Sequence, residues 1–277
     1  MDNKQEDSKN FGIYLLPNLF TTAAIFSGFY AIVSAMNGSF SSAAIAIFIA
    51  ALLDSLDGRV ARMTNTQSKF GAEYDSLADI VSFGVAPALI IYTWALLPLG
   101  QVGWLVAFLF VACNALRLAK FNANLGKGDK RYFYGLPVPA AACLIAGIVW
   151  VGHKYEASGS GVGFSILIAI VALYLAAMMV SNVKYRSFKD FDVKGKVGFT
   201  SVVFVVLIFA CIALDPAHVL FFIFGLYALS GPFVHVWSLA KGDKDNHGCK
   251  KPDEDHLHQD QGVNEDLKQE NSENTSN

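Results

Sequence analysis

The stretch Asp54–Asp79, DSLDGRVARMTNTQSKFGAEYDSLAD, decides the fold because it sets four carboxylates beside long apolar runs. On a helix, Asp54 and Asp57 lie at positions i and i+3 and therefore share one face. Asp75 and Asp79, at i and i+4, share one face of the following helix. Carboxylates at the edge of a hydrocarbon core are costly without a partner, and a divalent cation is an economical partner for several of them. Two acidic pairs on neighbouring helices therefore predict a two-metal site that can hold a diphosphate.

The composition predicts an all-α integral membrane protein. Of the 277 residues, 54% are hydrophobic and only 16% are charged, whereas soluble domains carry about 25% charged residues. A helix needs about 20 apolar residues to cross a bilayer. The sequence contains eight runs of about this length, at 16–36, 39–57, 75–97, 101–119, 136–152, 162–181, 198–214 and 217–239. We therefore expect about eight transmembrane helices.

The positions of Lys and Arg predict the orientation in the membrane. If the N-terminus is cytoplasmic, every basic residue except Lys154 falls in a cytoplasmic segment, as the positive-inside rule requires. This orientation puts all four aspartates and both termini on the cytoplasmic side, in the inner membrane if the protein is bacterial. Basic loops suit anionic membrane lipids and phosphate-bearing substrates, and we expect no nucleic-acid partner. The acidic, polar segment 241–277 is predicted to be a disordered tail.

The segment from Asp54 to Asp79 resembles the motif of the CDP-alcohol phosphatidyltransferase family, D-x2-D-G-x2-A-R-x8-G-x3-D-x3-D, and matches it at every position. The resemblance implies six core transmembrane helices around a polar cavity that faces the cytoplasm. It also implies displacement of CMP from a CDP-linked lipid by an alcohol, with Mg²⁺ or Mn²⁺ as the metal. Asp54, Asp57 and Asp75 are then metal ligands. Asp79 is by resemblance the general base and a further contact of the second metal.

Four other motif residues are expected, by the same resemblance, to bind the CDP-lipid. Gly58 and Ala61 would leave space for the cytidine nucleotide, and Gly71 would leave room for substrate or metal. Arg62 would contact the diphosphate as a charged donor. Each has a simpler alternative: close helix packing for Gly58 and Ala61, a membrane-surface anchor for Arg62, and a flexible turn for Gly71.

Further stretches resemble the phosphatidylserine synthase branch of this family and bear on the acceptor alcohol. They are residues 15–21, 82–88, 115–122, 135–142 and 179–189. The branch implies CDP-diacylglycerol and L-serine as substrates, and Arg117 is the best candidate to receive the serine carboxylate. Its alternative is a residue that snorkels to the interface. Lys120 is a second candidate, although an arginine would be expected there, and lysine loses the bidentate geometry.

These features divide the chain into a cytoplasmic segment 1–13, a family core 14–197, an additional helix pair 198–240 and the tail 241–277. A homodimer is consistent with the family but is not required by the sequence. Three alternative functions remain open from the sequence. They are the same reaction with glycerol 3-phosphate or inositol phosphate as acceptor, a cation-coupled transporter, and a lipid-binding scaffold without activity.

Overall fold

The structure is a computed structural model, and it describes residues 3–64, 66, 68–123, 132–157, 161–181, 183–186 and 199–240. Nine α-helices occur in these ranges: α1 Asn3–Met36, α2 Phe40–Met63, α3 Lys69–Asp79, α4 Ala86–Ile91, α5 Gln101–Ala123, α6 Val138–Lys154, α7 Val162–Val180, α8 Phe199–Leu214 and α9 Pro216–Ala240. The π-helical segment Ile80–Val85 joins α3 to α4, and a second π-helical segment, Tyr92–Leu96, and the 3₁₀ turn Leu97–Leu99 continue α4, so that Lys69–Leu99 forms one continuous helical span. The predicted all-α class is confirmed, with one addition. Strands β1 Tyr132–Tyr134 and β2 Lys184–Arg186 pair antiparallel, with Phe133 opposite Tyr185.

Six helical segments in the described ranges are long and apolar enough to cross a membrane. They are Leu16–Met36, Phe40–Met63, Lys69–Leu99, Gln101–Ala123, Val162–Val180 and Pro216–Val234. The chain is therefore an integral membrane protein. The two remaining predicted runs correspond to α6 and α8, which are apolar but have 17 and 16 residues. The count of eight stays a prediction. The predicted N-terminal segment 1–13 lies largely within α1, which begins at Asn3.

The third span begins earlier than the apolar run at 75–97 predicts. Helix α3 starts at Lys69, because the Ser68 side chain accepts a hydrogen bond from the Gly71 backbone N–H at 2.9 Å. A serine in this position satisfies one of the N–H groups that the first helical turn leaves without a partner. Gly71 therefore lies inside the helix, and the alternative of a flexible turn at Gly71 is wrong.

Small residues bring the first three spans close together. A Cβ at Gly28 of α1 would lie 2.6 Å from Ser82 Oγ in the third span, so only glycine fits there. Ser82 in turn donates to the Ala24 carbonyl of α1 at 3.0 Å, and Ser27 donates to the Ala46 carbonyl of α2 at 2.7 Å. Close approach of small residues with interhelical hydrogen bonds is the usual way in which membrane helices associate. These contacts fix the third span, and with it the acidic residues, against α1 and α2.

Helix α9 packs on the core at the level of α2 and α6. A Cβ at Gly147 of α6 would lie 3.1 Å from Phe221 Cα, and the rings of Phe48 and Phe224 are 6.1 Å apart. At the end of α9 away from the aspartates, Lys154 Nζ contacts Asp215 Oδ2 at 3.1 Å. The C-terminal helix therefore contacts the core through Phe221 and Phe224 and is tied to α6 by an ion pair at its start.

Candidate active site

Three aspartates from two helices converge at one point. Carboxylate oxygens of Asp54, Asp57 and Asp75 all lie within 4.8 Å of one another. Asp57 is buried, with 5% of its surface exposed, and the other two are partly buried. Two features bring the aspartates together. The helical period places the carboxylates of each helix on one face, and α2 and the third span both pack on α1. Hard oxygen ligands at this separation suit a divalent cation.

Asp79 joins this group from the last turn of α3. Its carboxyl group lies close to that of Asp54, near enough for the two to share a hydrogen bond when one of them is protonated. Asp75 Oδ1 and Asp79 Oδ1 are both buried and have no hydrogen-bond partner among the described residues. A buried polar atom without a partner costs free energy, and a bound cation would remove that cost for both oxygens. The donor set and its unsatisfied oxygens therefore fit a divalent metal.

The third span changes its winding directly after Asp79. The π-helical segment Ile80–Val85 begins at the next residue, and such segments are frequent at functional sites. It packs against α5 through Gly84, where an added Cβ would lie 3.2 Å from Asn114 Cγ. Arg117, one turn further along α5, is thereby brought beside Asp79.

Arg117 is a basic residue that the described part of the chain brings near the carboxylates. It is partly buried, and its Nε is fully buried without a hydrogen-bond partner among the described residues. Its guanidinium interacts electrostatically with Asp79 and with Tyr227 of α9. A side chain that snorkels to the membrane surface would instead keep its charged group in water. Lys120, in the last turn of α5, is exposed.

The residues expected to hold the CDP-lipid lie along α2 and at the start of α3. Gly58 is exposed, and a Cβ built there would meet no atom within 4 Å among the described residues. No helix of the described part packs on it, so the packing alternative has no support at Gly58. Ala61 is partly buried, and Arg62 is exposed with its Nε donating to the Gly58 carbonyl at 2.8 Å. A Cβ at Gly71 would lie 3.1 Å from Ser68 Oγ.

Thr21 of α1 is a member of the site that the sequence analysis did not single out. Its hydroxyl donates to Asp57 Oδ2 at 2.9 Å and lies 3.2 Å from the Pro17 carbonyl oxygen. Residues that hydrogen-bond a metal ligand orient it and tune its affinity. Thr21 ends the stretch 15–21, which resembles the phosphatidylserine synthase branch. That resemblance did not indicate a contact with the carboxylates.

A second unanticipated contact ties α5 to α3 beside Asp75. Asn122 Nδ2 donates to Ser76 Oγ at 3.0 Å. This bond fixes the end of α5 next to the residue that follows Asp75. The third span, which carries Asp75, and α5, which carries Arg117, are therefore joined at two points, at Gly84 and at Ser76.

Comparisons with known proteins agree with this geometry. The sequence model of the CDP-alcohol phosphatidyltransferase family matches residues 14–228. The chain is 39% identical over 229 residues to a Helicobacter pylori (strain J99) protein named CDP-diacylglycerol–serine O-phosphatidyltransferase, over 83% of this chain and 94% of that protein. It is 40% identical over 154 residues to a Mycobacterium tuberculosis (strain H37Rv) protein of the same name, over 54% of each chain. An archaetidylserine synthase of Methanothermobacter thermautotrophicus is 36% identical over 181 residues, 65% of this chain and 72% of the relative.

Proposed function

We propose that this chain, which belongs to the CDP-alcohol phosphatidyltransferase family, transfers the phosphatidyl group of CDP-diacylglycerol to the hydroxyl of L-serine. The products are phosphatidylserine and CMP. The observation that carries the proposal is the meeting of Asp54, Asp57 and Asp75 within 4.8 Å, with the carboxyl group of Asp79 close to that of Asp54 and within electrostatic reach of Arg117. The choice of serine is supported by the names of relatives that align with most of the chain.

The acidic cluster would hold Mg²⁺ or Mn²⁺ in a two-metal site. Asp54, Asp57 and Asp75 would supply ligands, and Asp79 would contact the second ion. Bound there, the ions supply charge neutralisation of the diphosphate and stabilisation of the CMP leaving group. Support comes from the oxygens of Asp75 and Asp79 that are buried without a protein partner in the described part of the chain.

The CDP-lipid binds along α2, with its acyl chains in the bilayer and its cytidine toward the cytoplasm. Open space at Gly58 and the small side chain of Ala61 leave room for the nucleotide. Arg62 is exposed and positioned one turn beyond Gly58, where its guanidinium can reach the diphosphate. Gly71, close to Ser68 Oγ and Asn18 Oδ1, leaves room for substrate or metal at the start of α3.

Serine enters from the cytoplasm and places its carboxylate on Arg117, with Lys120 as a further cation at the entrance. Asp79 takes the proton of the serine hydroxyl. The serine oxygen forms a new bond to the phosphatidyl phosphorus, and the bond from that phosphorus to the CMP oxygen breaks. Attack is direct, since the cluster in the described part of the chain offers carboxylates and no Ser, His or Cys nucleophile. Inversion of configuration at phosphorus is the expected stereochemical result.

The topology that goes with this function is a core of six transmembrane helices within 14–197 and an additional pair within 198–240. Both termini and the active site face the cytoplasm, in the inner membrane of a bacterial cell. The basic loops support this orientation. The predicted tail 241–277 lies outside the described residues. A homodimer remains an expectation from the family.

Release of CMP by the purified protein in detergent tests the proposal. The protein receives CDP-diacylglycerol with Mn²⁺ or Mg²⁺, and serine, glycerol 3-phosphate and inositol phosphate are added in parallel. Release that depends on serine supports the proposal. Release that depends on another alcohol would identify that alcohol as the acceptor substrate. Absence of release with all three, together with cation flux in vesicles, would favour transport.

A matched pair of variants ties the activity to the cluster. Asp75→Asn removes one ligand charge and is expected to abolish metal-dependent release. Glu73→Gln removes a charge from the exposed side of the same helix and is expected to leave release intact. Equal losses in both variants would contradict the site assignment.

A further inference from the structure

We propose that a groove between α6, α7 and α9 binds one acyl chain of a membrane phospholipid, whose phosphate group contacts Lys154 at the end of the groove. The inference does not depend on the proposed reaction, because it is tested by lipid binding and not by turnover. The side chains that define the groove include Ile148 of α6, Leu167 and Val171 of α7, and Phe221 and Gly225 of α9.

The groove has the length of one leaflet of a bilayer. Its volume is about 460 Å³, and its lining is almost entirely apolar. It follows α7 from Phe164 to Leu175, a stretch of helix that is about 16 Å long. The hydrocarbon core of a bilayer is about 30 Å thick, so one leaflet contributes about 15 Å. An acyl chain that enters at one membrane surface would therefore fill the groove to the middle of the bilayer.

The groove lies in the half of the membrane away from the aspartates. Trp94 lines it at the same end as Phe164, and the rings of these two residues are 5.4 Å apart. Trp94 and Asp79 belong to the same continuous span Lys69–Leu99, and their separation in sequence corresponds to about 22 Å of helix. The groove is therefore separate from the space beside the acidic cluster, and its lipid belongs to the opposite leaflet.

The groove has a buried floor and an exposed rim. Leu175 of α7 and Ala228 of α9, on the floor, are 0% and 1% exposed. Leu167 of α7 and Leu229 of α9, on the rim, are both exposed. Because the exposed rim residues come from α7 and α9, the groove opens to the bilayer between these two helices. A lipid chain can therefore enter it sideways.

A single alkyl chain suits the groove better than a helix from a second copy of the chain. A helix with side chains is about 10 Å wide, and 16 Å of such a helix occupies roughly 1,300 Å³. This volume is far larger than that of the groove, so a helix is too thick to enter it. An alkyl chain is thin and flexible, and the bilayer supplies it along this face.

Charged and polar side chains stand where the groove reaches the membrane surface. Lys154 follows the lining residue Gly152 by two positions, and His218 precedes the lining residue Phe221 by three. Lys154 Nζ lies 3.1 Å from Asp215 Oδ2, and His218 Nδ1 lies 2.8 Å from the same oxygen. The apolar groove therefore ends at a cation that is held in place by a neighbouring helix.

Lys154 can contact a phosphate while it keeps its bond to Asp215. An ammonium group has three N–H donors, and in the described part of the chain one of them meets Asp215. The Lys154 side chain is 51% exposed, and the exposed Tyr155 places its hydroxyl 3.2 Å from His218 Nε2 at the same surface. Basic residues at a membrane surface attract anionic lipid headgroups. The groove and Lys154 together thus match the two parts of a phospholipid.

Gly225→Leu tests the groove in the full-length protein. A Cβ at Gly225 would lie 3.8 Å from Leu144 Cδ1, an ordinary contact, so the leucine side chain fills the groove without displacing the backbone. The purified protein is delipidated in detergent and titrated with phosphatidylglycerol, and Tm and the mass of the intact protein with bound lipid are measured. Wild type is expected to gain Tm saturably and to hold one phospholipid. Gly225→Leu should lose both responses, while its Tm without lipid should not fall.

Two further variants complete the test. Gly163→Leu on α7 is the matched control, because this glycine is exposed and a Cβ there would meet no atom within 4 Å in the described part of the chain. It should respond to lipid as wild type does. Lys154→Gln should raise the phosphatidylglycerol concentration for the half-maximal Tm gain by about 5-fold. Diacylglycerol, which lacks the phosphate, should act equally on Lys154→Gln and wild type.

Four results would overturn the inference. They are an equal lipid response in Gly225→Leu and wild type, an unchanged phosphatidylglycerol curve in Lys154→Gln, and an equal Tm gain with inorganic phosphate in the absence of lipid. The fourth is a Gly225→Leu variant that keeps its bound lipid and loses a dimer instead, since the groove would then be a contact between two copies of the chain.

Discussion

Replacement of Thr21 by valine is predicted to weaken divalent-metal binding while the fold persists. The Thr21 hydroxyl donates to Asp57 Oδ2 at 2.9 Å. Only 4% of Thr21 and 5% of Asp57 are exposed, so water has little access to replace the lost bond. Valine keeps the branched shape of threonine and removes the donor. The carboxylate of Asp57 then loses one of the contacts that aim it at the metal.

The size of the effect can be bounded from the contacts of Asp57. A hydrogen bond to a charged group contributes about 1.5–3 kcal/mol, which corresponds to roughly 10- to 150-fold in an equilibrium constant. The backbone N–H of Gly58 also favours the Asp57 carboxylate electrostatically. We therefore expect the lower part of this range, about 10- to 30-fold weaker binding, in line with the effect of other residues that orient metal ligands.

Two readouts check this value. The Mn²⁺ concentration for half-maximal CMP release should rise, and the Mn²⁺-induced increase of Tm, measured without substrate, should shift to higher Mn²⁺ by the same factor. Thr21→Ser keeps the hydroxyl and should behave as wild type. The matched control is Thr22→Val, which removes an exposed hydroxyl bonded to the Asn18 carbonyl and the Tyr74 hydroxyl. Unchanged Mn²⁺ dependence in Thr21→Val, or an equal change in Thr22→Val, would refute the reasoning.

Four other substitutions test further parts of the structure. Asp79→Asn should lower serine-dependent CMP release by about 10²- to 10⁴-fold, the usual contribution of a general base, while a CDP-diacylglycerol thermal-shift assay still detects lipid binding. Gly58→Val should raise KM for CDP-diacylglycerol with little change in Tm, because its side chain enters open space, whereas Gly147→Val should lower Tm, because Phe221 Cα lies 3.1 Å from the new Cβ. The Lys154 hydrogen bond lowers the pKa of Asp215, so this carboxylate stabilises the fold above its unfolded pKa, about 3.9, and the stabilisation is lost as the pH falls through its lower folded pKa. Asp215→Asn should therefore lower Tm at neutral pH, and the difference from wild type should shrink as the medium becomes strongly acidic; an unchanged difference would contradict this.

The sequence allowed the acidic cluster to be predicted because its parts are local. Asp54 and Asp57 share a face of α2 through the helical period, and Asp75 and Asp79 share a face of α3 for the same reason. The all-α membrane architecture follows from the length of the apolar runs, since a bilayer demands helices whose backbone groups are satisfied within the segment. The start of α3 was missed because Ser68 caps a polar first turn that the hydropathy pattern does not mark.

The neighbours of the aspartates could not be predicted in this way. Thr21 and Asp57 stand 36 positions apart, and no periodicity links one helix to another. The packing of α9 on α6 depends on the absence of a single Cβ at Gly147, where Phe221 Cα would lie 3.1 Å away. In a bilayer the apolar faces of helices gain little from each other over lipid, so small residues and a few polar contacts decide which faces meet.

The sequence by itself therefore determined the membrane architecture, the two acidic pairs and the family to which their spacing belongs. Only the tertiary structure decided that Asp54, Asp57 and Asp75 meet within 4.8 Å and that Thr21 holds one of these ligands. The physical reason is the separation along the chain over which each kind of interaction acts. Backbone hydrogen bonds and hydropathy act within one segment and leave a pattern in the chain, whereas contacts between segments arise from close packing of many side chains and leave none.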